Sequence, residues 1–182
     1  MGMSFLAPDV TAASTVELAA AGDELAFARI VAAHQPEMIR VAYVVTGDWG
    51  TADDAAQAAL WIAWRKLPSL RDPARLRPWL LAVTANEARG ILRHQRRHPV
   101  VELVIAEERQ PAGGDPGDAI GQVDLANALH RLGPDDRELV ALRYLADLDS
   151  REIASLTGRS ASGVRTRLAR ALGRLREELD DD

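Results

Sequence analysis

The sequence predicts an all-α fold, in which two small helical domains are joined by a flexible acidic linker and the second domain contains a helix-turn-helix. The composition favours helices, because 47% of the 182 residues are hydrophobic but only 4% are aromatic, which suits packing through Ala, Leu and Val. Apolar residues also recur at helical spacing through most of the chain. Between residues 98 and 122 the chain is instead acidic and contains PAGGDPGD, a composition that cannot bury a core.

The charged residues fall into blocks of opposite sign. The formal net charge of −5, taken alone, argues against nucleic-acid binding. Residues 61–98, however, contain nine basic and two acidic residues, and residues 150–176 contain seven basic residues and one acidic residue. Because acidic segments flank both basic blocks, the distribution predicts two separate surfaces that face a polyanion.

The domain boundaries follow from these blocks and from the linker composition. We expect a disordered tail at 1–14, a first domain at 15–98, a linker at 99–119 and a second domain at 120–182. Apolar periodicity and the positions of Gly and Pro predict first-domain helices at 15–22, 23–34, 36–47, 51–67 and 79–97. Thr51 is the predicted N-cap of the fourth of these helices, with Asp54 in its first turn.

The predicted helix at 51–67 has a polar arc that also carries tryptophan. The members of this arc are Asp53, Asp54, Gln57, Trp61, Trp64 and Arg65. Small residues such as Ala55 and Ala59 lie on the opposite side, which is expected to pack. Because Trp and Arg are favoured in protein interfaces, the arc is a candidate protein-binding face. The alternative is that the acids only cap the helix and that one or both tryptophans belong to the core.

A basic strip is predicted on the helix at 79–97. Its members are Asn86, Arg89, Arg93, Arg96 and Arg97, and the loop before the helix adds Arg75, Arg77 and Trp79. Guanidinium groups at this spacing follow a phosphate backbone, and an Asn among them can read a base edge. A Trp at the foot of the loop can accept an unstacked base. The alternative is a solvated cationic surface.

The second domain is expected to contain a helix at 120–132, a helix that starts at Gly133-Pro134, and then a helix-turn-helix at 149–179. Asp149 or Ser150 caps the first helix of that motif, Glu152 completes a capping box, and Gly158 supplies the turn. The last helix carries an apolar stripe opposite a small, hydroxylic and cationic face.

That polar face predicts DNA binding, because small leading residues let the backbone approach a major groove while arginines reach phosphates and guanine edges. The candidate contacts are Ser160, Ser162, Gly163, Arg165, Thr166, Arg167 and Arg170. The alternative is an ordinary surface helix hairpin.

Other classes of site have no support in the sequence. The chain has no cysteine, which excludes a disulfide framework and a Cys-ligated metal. Its four histidines lack metal-ligand spacing, and we find no Gly-rich phosphate loop or nucleophile elbow. We therefore expect no enzyme activity, no cofactor and no metal. Without a signal-peptide pattern or a long apolar run, we expect a cytoplasmic protein that does not insert into a membrane.

With both helical groups laid out, the chain resembles the bacterial RNA polymerase sigma factors of the extracytoplasmic-function group. Four patches carry the resemblance: ADDAAQ at 52–57 followed by Trp64-Arg65, Trp79-Leu80 with Val83 and Asn86, LGPDDR at 132–137, and Glu152-Ile153-Ala154 with GVRTRLARA at 163–171. The sequence departs from the family pattern at Ala55 and Ala56, where bulkier aliphatic residues are usual, and at Gly90, where Asp is frequent.

The resemblance implies three binding surfaces. Docking on the largest subunit of core RNA polymerase is implied for Asp53, Asp54, Gln57, Trp61 and Arg65. Melting and binding of the minus-ten promoter element is implied for Arg75, Arg77, Trp79, Asn86, Arg89, Arg93, Arg96 and Arg97. Recognition of the minus-thirty-five element is implied for Ser160, Ser162, Gly163, Arg165, Thr166, Arg167 and Arg170.

The implied partners are core RNA polymerase, double- and single-stranded promoter DNA, and an anti-sigma factor or equivalent regulator. One alternative is a stand-alone helix-turn-helix regulator whose first domain is a sensor or dimerisation unit. Another is a protein-interaction module with solvated basic faces. The strip from Asn86 to Arg97 favours the sigma factor, because a regulator with one DNA-reading helix has no need of it.

Overall fold

A computed structural model describes residues 12–97 and 119–180 of the chain. These two ranges contain eight α-helices, two short 3-10 helices and no strand, so the prediction of an all-α fold is confirmed. The α-helices are α1 Ala12–Ala20, α2 Glu24–Thr46, α3 Trp49–Lys66, α4 Leu76–Arg97, α5 Ala119–Arg131, α6 Pro134–Tyr144, α7 Ser150–Thr157 and α8 Ala161–Asp180. The 3-10 helices are Leu67–Ser69 and Pro73–Arg75. Most of the predicted tail and nearly all of the predicted linker lie outside the described residues.

The first four helices pack around the alanine face of α3. Its buried residues, with no accessible side-chain surface, are Ala52, Ala55, Ala56, Ala59 and Ala63. Side chains this small let helix backbones approach closely, and α2 and α4 fill the space beside α3 with larger apolar residues such as Met38 and Leu81. The small residues predicted to pack therefore do form the core of this group.

The predicted helices at 23–34 and 36–47 are a single helix, and the prediction of a break at Pro36 was wrong. Pro36 lies inside α2, where it removes one backbone hydrogen bond. Ala26, Ile30, Met38 and Val41, on both sides of the proline, are all buried in the same core. Burial of this continuous apolar face outweighs the local cost of the proline. The helix ends at Gly47 as predicted, in a left-handed conformation with a φ of 77°.

The starts of α3 and α4 also differ from the predictions. The N-cap of α3 is Asp48, which accepts a hydrogen bond from the Thr51 amide at 2.7 Å. Thr51 is therefore inside the helix and Asp54 is beyond its first turn. Helix α4 begins at Leu76 rather than Trp79, because Pro78 in the first helical turn needs no backbone donor.

The last four helices form the predicted helix-turn-helix on a buried support, α6. Residues Asp136 to Leu142 of α6 are all buried, and α6 contacts both α7 and α8. Asp149 caps α7 and Glu152 completes the capping box, while Gly158 ends the helix with a φ of 69°. Val164, Leu168, Ala171 and Leu175 form the buried stripe of α8. The local predictions for this motif are thus confirmed.

The two helical groups pack against each other. Helix α6 contacts α2 and α4, helix α7 contacts α4, and the buried residues of both groups belong to one apolar cluster. At this junction the imidazole of His130, on α5, lies where a β-carbon of Gly47 would project. The left-handed backbone conformation favours glycine at position 47, and a side chain added there would displace the exposed His130 ring.

Replacement of Gly47 by Ala tests this junction. Alanine in a left-handed conformation costs about 1–2 kcal/mol, and the added methyl group would collide with the His130 ring. We expect Gly47→Ala to lower the free energy of unfolding by about 1–3 kcal/mol, measured by urea denaturation.

Gly22→Ala is the matched control, because Gly22 also has a positive φ, of 97°, but a β-carbon there would meet nothing within 4 Å. The cost at position 47 should exceed the cost at position 22, and His130→Ala should remove the excess. An equal cost at both glycines would contradict the close approach of His130.

Candidate nucleic-acid interface

The predicted DNA-reading face of α8 is exposed and lines an open groove of 650 Å³. Ser160, Ser162, Gly163, Thr166, Arg167 and Arg170 line this groove together with Arg174 and Asp136, whereas Arg165 is exposed outside it. The Ser160 hydroxyl accepts a hydrogen bond from the Gly163 amide at 3.1 Å, and a β-carbon at Gly163 would lie 2.9 Å from that oxygen. The start of α8 therefore combines small side chains with a capped helix end.

Three acids at the start of α6 pair with arginines beside this groove. We call them the acidic turn; its members are Asp135, Asp136 and Glu138. Asp136 accepts hydrogen bonds from Arg167 Nε at 2.8 Å and from Arg174 at 2.6 Å. Asp135 accepts one from Arg159 at 3.2 Å. Burial by itself would raise the pKa of Asp135, but Arg159, Arg167 and Arg89 lower it below its ordinary value.

Asp136 and Arg174 are not among the site residues that the sequence predicted. Two adjacent acids in the first turn of a helix are explained by the helix dipole alone, and the partners of Asp136 are 31 and 38 residues away along the chain. Only the position of Arg174, on the outward arc of α8, gave a signal in the sequence.

Most side chains of the basic strip on α4 face solvent, but one contacts the second helical group. Asn86, Arg93, Arg96 and Arg97 are exposed. The side chain of Arg89 is only 18% exposed, because it forms ion pairs with Asp135 at 3.3 Å and with Glu138 at 3.2 Å. The predicted strip therefore exists on one face, but α6 covers one of its members.

Glu138 is the most buried member of the acidic turn, with no exposed side-chain surface. It lies between Arg89, at 3.2 Å, and Arg159, at 2.9 Å. Burial raises the pKa of Glu138, and the two guanidinium groups oppose that shift. The same carboxylate thus joins α4 to the turn that precedes α8.

Arg75, at the end of the second 3-10 helix, and Arg77, in the first turn of α4, also contact the second helical group. Arg75 forms an ion pair with Glu152 at 2.5 Å. Arg77 pairs with Glu37 and donates hydrogen bonds to the backbone oxygens of Leu145, at 3.0 Å, and Ala146, at 3.1 Å. Arg75 and Arg77, which were predicted to bind single-stranded DNA, therefore pair with oxygens of the protein itself.

Trp79 and Asn86 lie together at a cavity of 230 Å³ between the helical groups. Ile62 and Val83 contribute apolar wall, whereas Leu156 and Thr157 of α7 close the far side together with Glu138. The predicted pair of an aromatic ring and an amide is brought to one place, but α7 covers it in this arrangement.

The predicted protein-binding arc on α3 is exposed along its length. Asp54, Gln57, Trp61 and Arg65 are exposed, and the Arg65 guanidinium lies 4.9 Å from the centre of the Trp61 ring. Asp53 is half-buried. Trp64, by contrast, is half-buried and packs edge-on against Phe27, with ring centres 4.9 Å apart. An indole that is 64% exposed, as at Trp61, is a common centre of protein interfaces.

The described residues contain neither a cluster of His, Cys, Asp and Glu that could hold a metal ion nor a helix long and apolar enough to cross a bilayer.

Comparison with protein families divides the chain as its helices do. The family described as sigma-70 region 2 matches residues 30–98, and the family described as sigma-70 region 4 matches residues 122–175. The first match covers α3 and the basic strip of α4, and the second covers the acidic turn and α8 as far as Leu175. Both candidate nucleic-acid surfaces thus fall inside the matched regions.

Curated relatives agree with these matches. RNA polymerase sigma factor CarQ of Myxococcus xanthus is 32% identical over 162 residues, which cover 88% of this chain and 92% of that protein. A probable RNA polymerase sigma factor of Xanthomonas campestris, RfaY, is 37% identical over 88% of this chain, but the match spans only 42% of the length of that relative.

The fold is also similar to that of a solved structure, the sigma factor RpoE of Bartonella quintana in complex with the anti-sigma factor NepR. The TM-score is 0.68 at 24% identity, over 86% of this chain and 98% of the other. The family matches, the Myxococcus relative and this shared fold agree with one another. The chain belongs to the RNA polymerase sigma factors, within the extracytoplasmic-function group.

Proposed function

We propose that this sigma factor acts through three surfaces, which dock on core RNA polymerase, open the minus-ten element and read the minus-thirty-five element. The observation that carries the proposal is the presence of two exposed basic faces, on α4 and α8, beside a separate acidic and aromatic face on α3. The proposed domains are 15–98 and 120–182, joined by a linker at 99–119. The protein itself is not an enzyme, since the polymerase performs the chemistry, and its place of action is the cytoplasm.

Docking on the polymerase is assigned to the exposed arc of α3. Asp54, Gln57, Trp61 and Arg65 offer a carboxylate, an amide, a large aromatic ring and a guanidinium along one face. Stacking of Arg65 on Trp61 restricts both side chains before a partner binds, which lowers the entropy lost on binding. Asp53 lies at the edge of this face.

Opening of the minus-ten element is assigned to the basic strip, the loop arginines and the cavity at Trp79 and Asn86. Single-stranded DNA needs a cationic track for its phosphates and an aromatic or polar pocket for an unpaired base. In the compact arrangement Arg75, Arg77 and Arg89 are paired with protein oxygens. DNA phosphates must therefore replace these protein partners, and α7 must leave the cavity before a base can enter it.

The need for this separation of the helical groups suggests a point of control. The Bartonella relative of this fold was solved with an anti-sigma factor, and we propose that a regulator of that class also binds this protein. Run-off transcription with purified core RNA polymerase, with and without the protein, on a library of genomic fragments tests the proposed function. Failure to stimulate specific transcripts would contradict the proposal.

Docking can be tested with Asp54→Arg combined with Gln57→Ala. Both residues are exposed and lie beyond the first turn of α3, so we expect the free energy of unfolding to change by no more than about 0.5 kcal/mol. Charge reversal on the docking face should weaken binding to core polymerase at least about tenfold, because truncation of a central contact often costs more than 1 kcal/mol. Binding is measured by titration of labelled protein with core polymerase.

The matched control is Glu17→Arg with Gln35→Ala, which makes the same chemical change on α1 and α2 and should bind as the wild type does. If the folded α3 variant binds core polymerase as tightly as the wild-type protein does, the docking assignment is contradicted.

DNA opening can be tested with Asn86→Ala combined with Arg93→Ala, two exposed residues of the strip. Loss of an amide at the cavity and of one phosphate partner should suppress permanganate reactivity of minus-ten thymines on a promoter found by the run-off assay. A template with a pre-melted bubble should restore part of that reactivity, since no base pairs need to open.

The control variant is Asn127→Ala with Arg29→Ala, exposed residues of α5 and α2 that lie outside the strip. If the α4 variant opens intact duplex as readily as this control does, the strip is not the melting surface.

A further inference from the structure

We propose that Asp136 is a positioning residue for duplex recognition: from below the groove it fixes the guanidinium groups of Arg167 and Arg174, and it thereby sets how well the groove discriminates between sequences. Asp136 lies on α6, whereas the helix proposed to enter the DNA major groove is α8. The inference rests on the proposed role of α8 in reading duplex DNA.

The geometry assigns one carboxylate oxygen to each arginine. Oδ1 of Asp136 accepts from Arg167 Nε at 2.8 Å, and Oδ2 accepts from Arg174 Nη2 at 2.6 Å. The Asp136 side chain is 8% exposed, whereas those of Arg167 and Arg174 are 44% and 52% exposed. A buried anion thus anchors two cations whose remaining donors reach the groove.

The choice of atoms on Arg167 matters for base recognition. Asp136 binds Nε of Arg167, and Nη2 lies 3.5 Å from Asp135, so the side edge of this guanidinium faces the two acids and the outer N–H groups of its terminal nitrogens are left for another acceptor. A guanidinium that donates two parallel hydrogen bonds to guanine must be held in one orientation. An arginine without an anchor loses more side-chain freedom on binding and can turn toward any nearby phosphate.

The negative charge of Asp136 has a second effect, of opposite sign. It lowers the positive potential of the groove and therefore weakens attraction to every DNA sequence alike. Removal of this charge should strengthen sequence-independent binding while it weakens discrimination. An acid that merely stabilised the fold would, on removal, weaken both kinds of binding.

Asp135 provides a matched comparison within the same helical turn. Both acids lie in the first turn of α6, so replacement of either by Asn changes the net charge and the interaction with the helix dipole equally. Asp135, however, contacts Arg167 only at 3.5 Å and is directed to Arg159 and Arg89. The two Asn variants therefore differ in which arginines lose a partner: Arg167 and Arg174 for position 136, and Arg159 and Arg89 for position 135.

The experiment uses the full chain bound to core RNA polymerase. A duplex is selected by the wild-type complex from a library with a randomised segment, and its affinity is compared with that of a scrambled duplex at several salt concentrations. For Asp136→Asn we expect discrimination between the two duplexes to fall about tenfold, while affinity for the scrambled duplex is equal or higher. Asp135→Asn should keep wild-type discrimination.

A double-mutant cycle identifies the residue through which Asp136 acts. Arg167→Ala should itself reduce discrimination, and Asp136→Asn should then add little, because the group that it positions is gone. Asp136→Glu, which keeps the charge and both acceptors, should recover part of the discrimination lost in the Asn variant. Arg167→Lys keeps the positive charge but loses the Nε contact to Asp136 and the planar guanidinium, so it should lose discrimination.

Three results would overturn the inference: wild-type discrimination in Asp136→Asn, equal loss of specific and scrambled binding together with a lowered melting temperature, or wild-type discrimination in Arg167→Lys. Failure of the proposed function looks different. In that case Arg167→Ala binds the selected and scrambled duplexes as the wild-type protein does, whatever stands at position 136.

Discussion

The pairing of buried carboxylates with arginines at the start of α6 is the interaction on which the rest of this structure depends. Asp136 and Glu138 are almost fully buried, and a buried anion is tolerated only when cations and hydrogen bonds surround it. Arg167 and Arg174 donate hydrogen bonds to Asp136, while Arg89 and Arg159 form ion pairs with Glu138. One short turn therefore supports the recognition helix and also ties α4 to the second helical group.

This shared use of arginines sets up competition between protein and DNA. Two of the arginines predicted to follow single-stranded DNA, Arg75 and Arg89, also pair with acids of the second helical group. Since carboxylates and phosphates compete for one guanidinium, we expect the compact arrangement and the proposed minus-ten complex to exclude each other at these residues. The groove along α8 is different, because Arg167 and Arg174 pair there with Asp136 while about half of each arginine side chain stays exposed to solvent.

The sequence predicted what depends on neighbours in the chain and missed what depends on distant ones. The capping box at Asp149 and the left-handed Gly158 are local signals, and both are found as predicted. The break at Pro36 was wrong because packing of a continuous apolar face overrides the local effect of proline. The covered state of Arg89 depends on acids 46 and more residues away, for which neither periodicity nor composition gives a signal. The site assignments on α3, α4 and α8 remain predictions.

The negative net charge is consistent with this division of roles. The acids of α6 form ion pairs with arginines that are proposed to bind DNA, and so reduce the general attraction of the chain to polyanions, which is the source of sequence-independent binding. What remains is a set of guanidinium groups held in fixed directions, which can discriminate between sequences although the total electrostatic attraction is small. We expect a protein with a net charge of −5 that carries such groups to bind DNA weakly by itself and to gain affinity when the polymerase supplies further contacts. Specificity and affinity are in this way assigned to different components of the same complex.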